Sequence, residues 1–166
     1  MTIPELLLLE FDEEMPNTRR MLERVPEASL TWKPHEKSMT LGRLASHVAD
    51  LPNRCVSIIT TETLVRPPGF KPYMAESSKE LLEHFDAAST DARTALTGLP
   101  EDQLQVAWSI RMGERVLASM PRVMAIRRVF LNHLIHHRGQ LSVYLRLLDV
   151  PVPGMYGASA DDQAKM

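Results

Sequence analysis

The sequence predicts an all-α protein built as a four-helix bundle, and three observations carry that expectation. Four segments repeat apolar residues at the helical spacing, no run sustains the alternation of a strand, and Pro and Gly clusters fall between the periodic segments. Each amphipathic helix carries one stripe that neighbours must cover, and four such helices cover one another most simply as a bundle. With 166 residues, 44% of them hydrophobic, the chain suffices for one domain around one core.

The first helix opens at Pro4, a favourable first-turn residue, and its stripe is Leu8, Phe11, Met15, Leu22 and Val25. A bend is expected at Pro16 and a stop at Pro26. Residues 27–39, with Trp32, Pro34 and His35, read as an irregular connection, after which Ser38 or Thr40 caps a second helix over about 40–63, kinked at Pro52. Pro67, Pro68, Gly69 and Pro72 demand a loop. A third helix over about 76–97 carries the stripe Leu81, Phe85, Ala88, Ala92 and Leu96, and Gly98 and Pro100 end it. Gln105 to Leu117 has room for a short hairpin around Arg111-Met112-Gly113-Glu114. Pro121 starts the last helix, which runs to Asp149 before Pro151 and Pro153. Residues 1–157 then form a single domain, and 158–166 a tail expected to lack order.

A formal net charge of -2 and a pI near 6.3 give no electrostatic case for nucleic acid or an anionic membrane as partner. The apolar run Leu6 to Leu9 meets Glu10, Asp12, Glu13 and Glu14 at once, unlike a signal-peptide core or a membrane span, so a cytoplasmic protein is expected. One cysteine, Cys55, excludes an intrachain disulfide and a cysteine metal cluster. It reads as a small apolar core filler. Metal chemistry would fall to the six histidines.

His133 and His137 stand four residues apart in Asn132-His133-Leu134-Ile135-His136-His137-Arg138-Gly139-Gln140, so a helix carries both rings on one face, about 40° apart. They share a predicted core stripe with Val123, Ile126, Phe130, Leu141, Tyr144 and Leu148, and buried imidazoles there need polar partners or a cation. His47, between Leu44 and Leu51 on the second helix, also points inward. If those two helices are neighbours, His47, His133 and His137 make a three-histidine site suited to Zn²⁺ or Ni²⁺ with a coordination position open. His136 borders that site or a partner surface rather than binding metal, and with Gln140 and Tyr144, one and two turns beyond His137, it is a candidate pocket residue. His84 reads as solvated, His35 as a loop residue near the pocket mouth, and Arg127, Arg128, Arg138 and Arg146 as a solvated face or dimer contact. Leu134 stands where a zincin needs Glu, and Leu44, Phe130 and Leu134 stand where ferritin-like di-iron sites need it, so neither mechanism fits.

Leu44-Ala45-Ser46-His47-Val48, His133-x-x-x-His137-Arg138-Gly139-Gln140-Leu141, Pro151-Val152-Pro153-Gly154-Met155-Tyr156-Gly157 and the early Leu30-Thr31-Trp32-Lys33-Pro34 together resemble the DinB/YfiT-like metalloprotein family over nearly the whole chain. Asp149 and Val150 depart from the pattern, standing where relatives often carry Gly. The resemblance implies a bundle of up-up-down-down type, often a homodimer, with one divalent metal on His47, His133 and His137. It also implies a transferase class of activity, since described members include S-transferases and isomerases that use bacillithiol, mycothiol or glutathione. The expected function is therefore a metal-dependent enzyme acting on a small-molecule substrate with a low-molecular-weight thiol as cosubstrate. A metal-dependent hydrolase, or a non-enzymatic stress-response protein that binds metal or a small ligand, are the alternatives.

Overall fold

In the computed structural model, which describes residues 1–163, the polar caps and the apolar stripes define the helices. Thr2 and Glu5 exchange side-chain-to-backbone hydrogen bonds as a capping box at the head of α1 (Ile3–Leu22), with Pro4 in its first turn. Thr40 accepts from the Arg43 N–H to start α2 (Leu41–Thr60), and Ser77 accepts from the Glu80 N–H to start α3 (Ser78–Thr97). The last rod runs without interruption through α4 (Arg122–Ala125), a π-helical turn (Ile126–Leu131) and α5 (Asn132–Leu147). Its N-cap is Pro121. The four helices enclose one core, to which α2 contributes Leu41, Leu44, Val48, Leu51, Cys55 and Ile58.

The bundle holds, but its helix directions differ from the expected up-up-down-down. Asp12 pairs with Arg93 and Arg19 with Asp86, so α1 and α3 run antiparallel. Glu10 pairs with Arg127 and Glu14 with Arg138, so the last rod runs parallel to α1. His47 meets His133 while the Ile58 carbonyl accepts from Arg122, so α2 opposes that rod. The order is up-down-down-up. Residues 61–77 make it possible, since they can extend up to about 55 Å whereas a 20-residue helix spans about 30 Å, and the chain returns along the length of α2 before α3 begins.

That return carries a strand absent from the sequence expectation. α2 stops at Thr60, and the β-branched run that follows forms β1 (Thr63–Arg66), paired parallel to β2 (Ala107–Met112) in the register Thr63 to Ser109 and Arg66 to Met112. The Thr63 and Ser109 hydroxyls lie 2.9 Å apart across it. The expected hairpin is present, with β3 (Arg115–Pro121) antiparallel to β2 and Gly113 at a φ of 54° in the turn, where a left-handed backbone favours glycine. Arg122, 5% exposed, donates to the Ile58 and Thr61 carbonyls and so satisfies the end of α2 from the start of the last rod.

The π-helical turn corrects the core stripe. It accommodates one extra residue, so the helix beyond it is rotated by about 100° and the buried positions move by one. Leu134, Arg138, Leu141 and Leu145 are buried instead of a line through His133, His137, Tyr144 and Leu148. The histidines lie half-buried at the border facing α2, not deep in the core. Arg138, expected on a solvated face, is 2% exposed. Its Nη2 lies 2.6 Å from Glu14 Oε2 and donates to the Tyr156 hydroxyl, which donates to Glu14 Oε1, and its Nη1 donates to Thr18 and to the Glu14 carbonyl. Three segments meet at this one buried ion pair. Arg127 and Arg146 likewise pair, with Glu10 and Asp161.

Asp149 has a φ of 56°, the conformation glycine adopts at least cost. Beyond it, Arg20 donates to the Gly154 carbonyl, and α6 (Ala160–Gln163) lies within the stretch expected to lack order. Residues 164–166 of that stretch lie outside the described residues. No helix of the described residues is long and apolar enough to cross a membrane.

Candidate metal centre

The rotation introduced by the π-helical turn aims His133 and His137 at α2, where His47 occupies the border between the buried Leu44 and Leu51. His133 Nε2 stands 3.3 Å from His47 Nε2 and 2.8 Å from His137 Nε2. One ligand atom from each ring can be chosen so that all three lie within 4.8 Å of one another. Nitrogens tetrahedrally placed on zinc at roughly 2.0–2.1 Å would be about 3.3–3.4 Å apart, so the three rings need only small adjustments to share one ion.

The outer face of the rings fixes what the inner face offers. His133 Nδ1 lies 3.3 Å from the Val129 carbonyl and His137 Nδ1 lies 2.7 Å from Gln140 Oε1, and both oxygens are acceptors. Each Nδ1 therefore carries the proton, which leaves Nε2 a lone pair directed at the other rings. Burial, then the neighbouring imidazoles, push His47 down to about 3, and burial lowers His133 and His137 as well. The Nε2 lone pairs of His133 and His137, 2.8 Å apart, repel one another unless a cation or a proton lies between them. The donor set of three imidazoles fits Zn²⁺ or Ni²⁺.

Gln140 therefore acts on the site from outside it, by orienting His137. Gln140→Ala should weaken zinc binding about 10–100-fold while leaving helix content unchanged, as read by competition against a chromophoric chelator and by circular dichroism. Tyr144, the other candidate beyond His137, packs edge-on against Trp32 at 5.8 Å and donates to the Met39 carbonyl at 3.3 Å, where it ties the connection before α2 to α5. His136 is exposed, its ring 4.8 Å from that of His137. Exposed His35 accepts from the Lys37 N–H at 3.1 Å. His84 is not simply solvated: it bonds Asp50 at 3.0 Å and stacks on Tyr73 at 3.7 Å. Cys55 is fully buried, and burial pushes its thiol up, away from nucleophilic use.

A cavity of about 240 Å³ opens beside the histidines, sharing His47 and His133 in its wall. Arg43, Asp50 and Arg54 continue that wall along α2, and Arg66, Phe70 and Tyr73 close it from the return segment. The sequence contained a signal for half of it, since positions 43, 47, 50 and 54 follow the helical spacing from His47. The other half depends on β1, which periodicity did not reveal.

A helical bundle with a half-buried cluster of three imidazoles and a small sheet at one end defines a recognisable class of protein. The sequence profile of the DinB family matches residues 1–166, and the chain belongs to that family. It is 26% identical over 161 residues to the uncharacterized protein YrdA of Bacillus subtilis (strain 168), covering 95% of this chain and 90% of that one. Among solved structures, a DinB-like protein from Bacillus cereus ATCC 10987 superposes with a TM-score of 0.71 at 24% identity, covering 92% of this chain and 97% of that one. A second DinB-like protein, YjoA of Bacillus subtilis, gives 0.66 at 18% identity, covering 88% of this chain and 95% of that one. At those identities the likeness concerns the fold.

Proposed function

We propose that this chain is a metal-dependent enzyme that transfers a low-molecular-weight thiol to a small electrophilic substrate, with His47, His133 and His137 holding one divalent ion, zinc or nickel. The observation that carries the proposal is the convergence of three Nε2 atoms, with the Nδ1 protons of His133 and His137 directed outward, at the edge of a cavity. An ion bound there would supply Lewis acidity and lower the pKa of a thiol or water that joins it. The chain's own part is to hold His133 and His137 in the ligating tautomer and to offer no fourth histidine, cysteine or carboxylate to the cluster among the described residues, as open rather than structural sites do.

Transfer is favoured over hydrolysis by the surroundings. Asp50 is the one carboxylate in the cavity wall among the described residues, and it is already held by Asn53 at 2.9 Å and His84 at 3.0 Å. A hydrolase would want a free base beside its water.

The test is a screen of the purified protein against bacillithiol, mycothiol and glutathione with several electrophiles. Conjugate formation by the zinc- or nickel-loaded protein, abolished in His137→Ala with helix content retained, is the expected result. Absence of turnover across the panel would replace the enzyme with a protein that binds metal or a small ligand without chemistry.

A further inference from the structure

The cavity wall concentrates positive charge that its one carboxylate, Asp50, offsets only in part. Arg43, Arg54 and Arg66 all line it, and among the described residues none of the three guanidiniums makes a hydrogen bond or an ion pair. Arg66 has a buried Nε without a partner, and its guanidinium lies 5.7 Å from the centre of the Phe70 ring. Desolvation and mutual repulsion act together here: burial, then Arg66, depresses Arg54, and burial likewise depresses Arg43. Asp50, the single carboxylate in the wall, partly counters this for Arg43 and Arg54, but its hydrogen bonds go to Asn53 and His84, and one negative charge stands against three guanidiniums.

Like charges gathered in a half-buried concavity weaken the fold unless something bound there offsets them. Guanidinium groups present planar forks of N–H donors that match carboxylate and phosphate oxygens. We infer that Arg43, Arg54 and Arg66 form a binding site for an oxyanion, a carboxylate or phosphate group of a small molecule whose other end reaches the His47 and His133 side of the same cavity. Phe70, Pro72 and Tyr73 supply an apolar wall against which the body of that molecule packs. This deepens the reading above and rests on it for the position of the reacting end: the substrate or its thiol partner is an anion. The oxyanion site itself stands on the arginines alone.

The experiment is calorimetric titration of the full-length protein, as purified and after chelator treatment, with inorganic phosphate and with succinate, against the neutral isostere succinamide. At least one of the two anions should bind saturably at one site per chain in both preparations, and succinamide should not. Phosphate alone would identify a phosphate ester as the natural group, and succinate alone a carboxylate. Arg54→Gln should weaken the anion at least about 10-fold, and Arg43→Gln and Arg66→Gln each should also weaken it, which keeps the test decisive if one variant misfolds. Zinc affinity should change little in all three. Anion binding without zinc binding would overturn the metal-dependent function and leave this site standing. Zinc binding with no saturable anion binding, or anion binding indifferent to all three substitutions, would overturn the oxyanion site.

Discussion

Arg138→Ala will destabilise the metal-free protein by about 3–5 kcal/mol, lowering its Tm by roughly 6–20 °C, because it strands the Glu14 carboxylate in a site where the pair is 2% and 4% exposed. The loss is not confined to one Coulombic contact. The same guanidinium donates to Thr18, to the Glu14 carbonyl and to Tyr156, so its removal releases α1 from α5 and both from the segment after α5. Replacing both partners at once, as Glu14→Leu with Arg138→Met, should recover much of the loss, since no unpaired charge then remains buried. Thermal unfolding of the two single variants and the double variant forms the cycle. A single variant within 1 kcal/mol of the parent, an order-of-magnitude bound for sites without such a role, would contradict this account of the ion pair.

His47→Ala carries the largest expected effect on the metal centre. It removes the one nitrogen that α2 contributes, and zinc affinity should fall by more than about 100-fold, beyond what loss of an outer contact such as Gln140 produces. Helix content should persist, because His47 is half-buried at a border and its neighbours Leu44, Val48 and Leu51 remain in the core. Competition with a chromophoric chelator measures the first quantity and circular dichroism the second. Unchanged zinc affinity would remove α2 from the site.

The four helices were legible because their signals are local: caps at Thr40 and Pro121, stops at Gly98 and the Pro-rich loops, and stripes at a single period. The proximity of His47 to His133 and His137 was legible too, as a consequence of two neighbouring helices that each carry imidazole at or beside the core stripe. Three features were not. The π-helical turn leaves no compositional trace in Ile126–Leu131, yet it moves every later residue by one position and so exchanges His137 for Arg138 at the core. Strand β1 is four residues long, below the length at which alternation can be read, and its partner lies more than 40 residues away. The helix directions depend on a connection crossing the bundle, which no local pattern encodes. The arginine wall of the cavity follows from the last two, because Arg66 reaches Arg43 and Arg54 only when the chain returns along α2.

The central claim is that three imidazoles from two opposed helices hold one divalent ion. X-ray absorption at the metal edge, on protein purified without chelator and loaded with one equivalent of zinc, measures it most directly. The account predicts one tightly held zinc per chain with three imidazole nitrogens at about 2.0–2.1 Å and an exchangeable water or hydroxide oxygen completing the shell. Zinc that washes away on desalting, or a shell with fewer than three imidazoles, would contradict it.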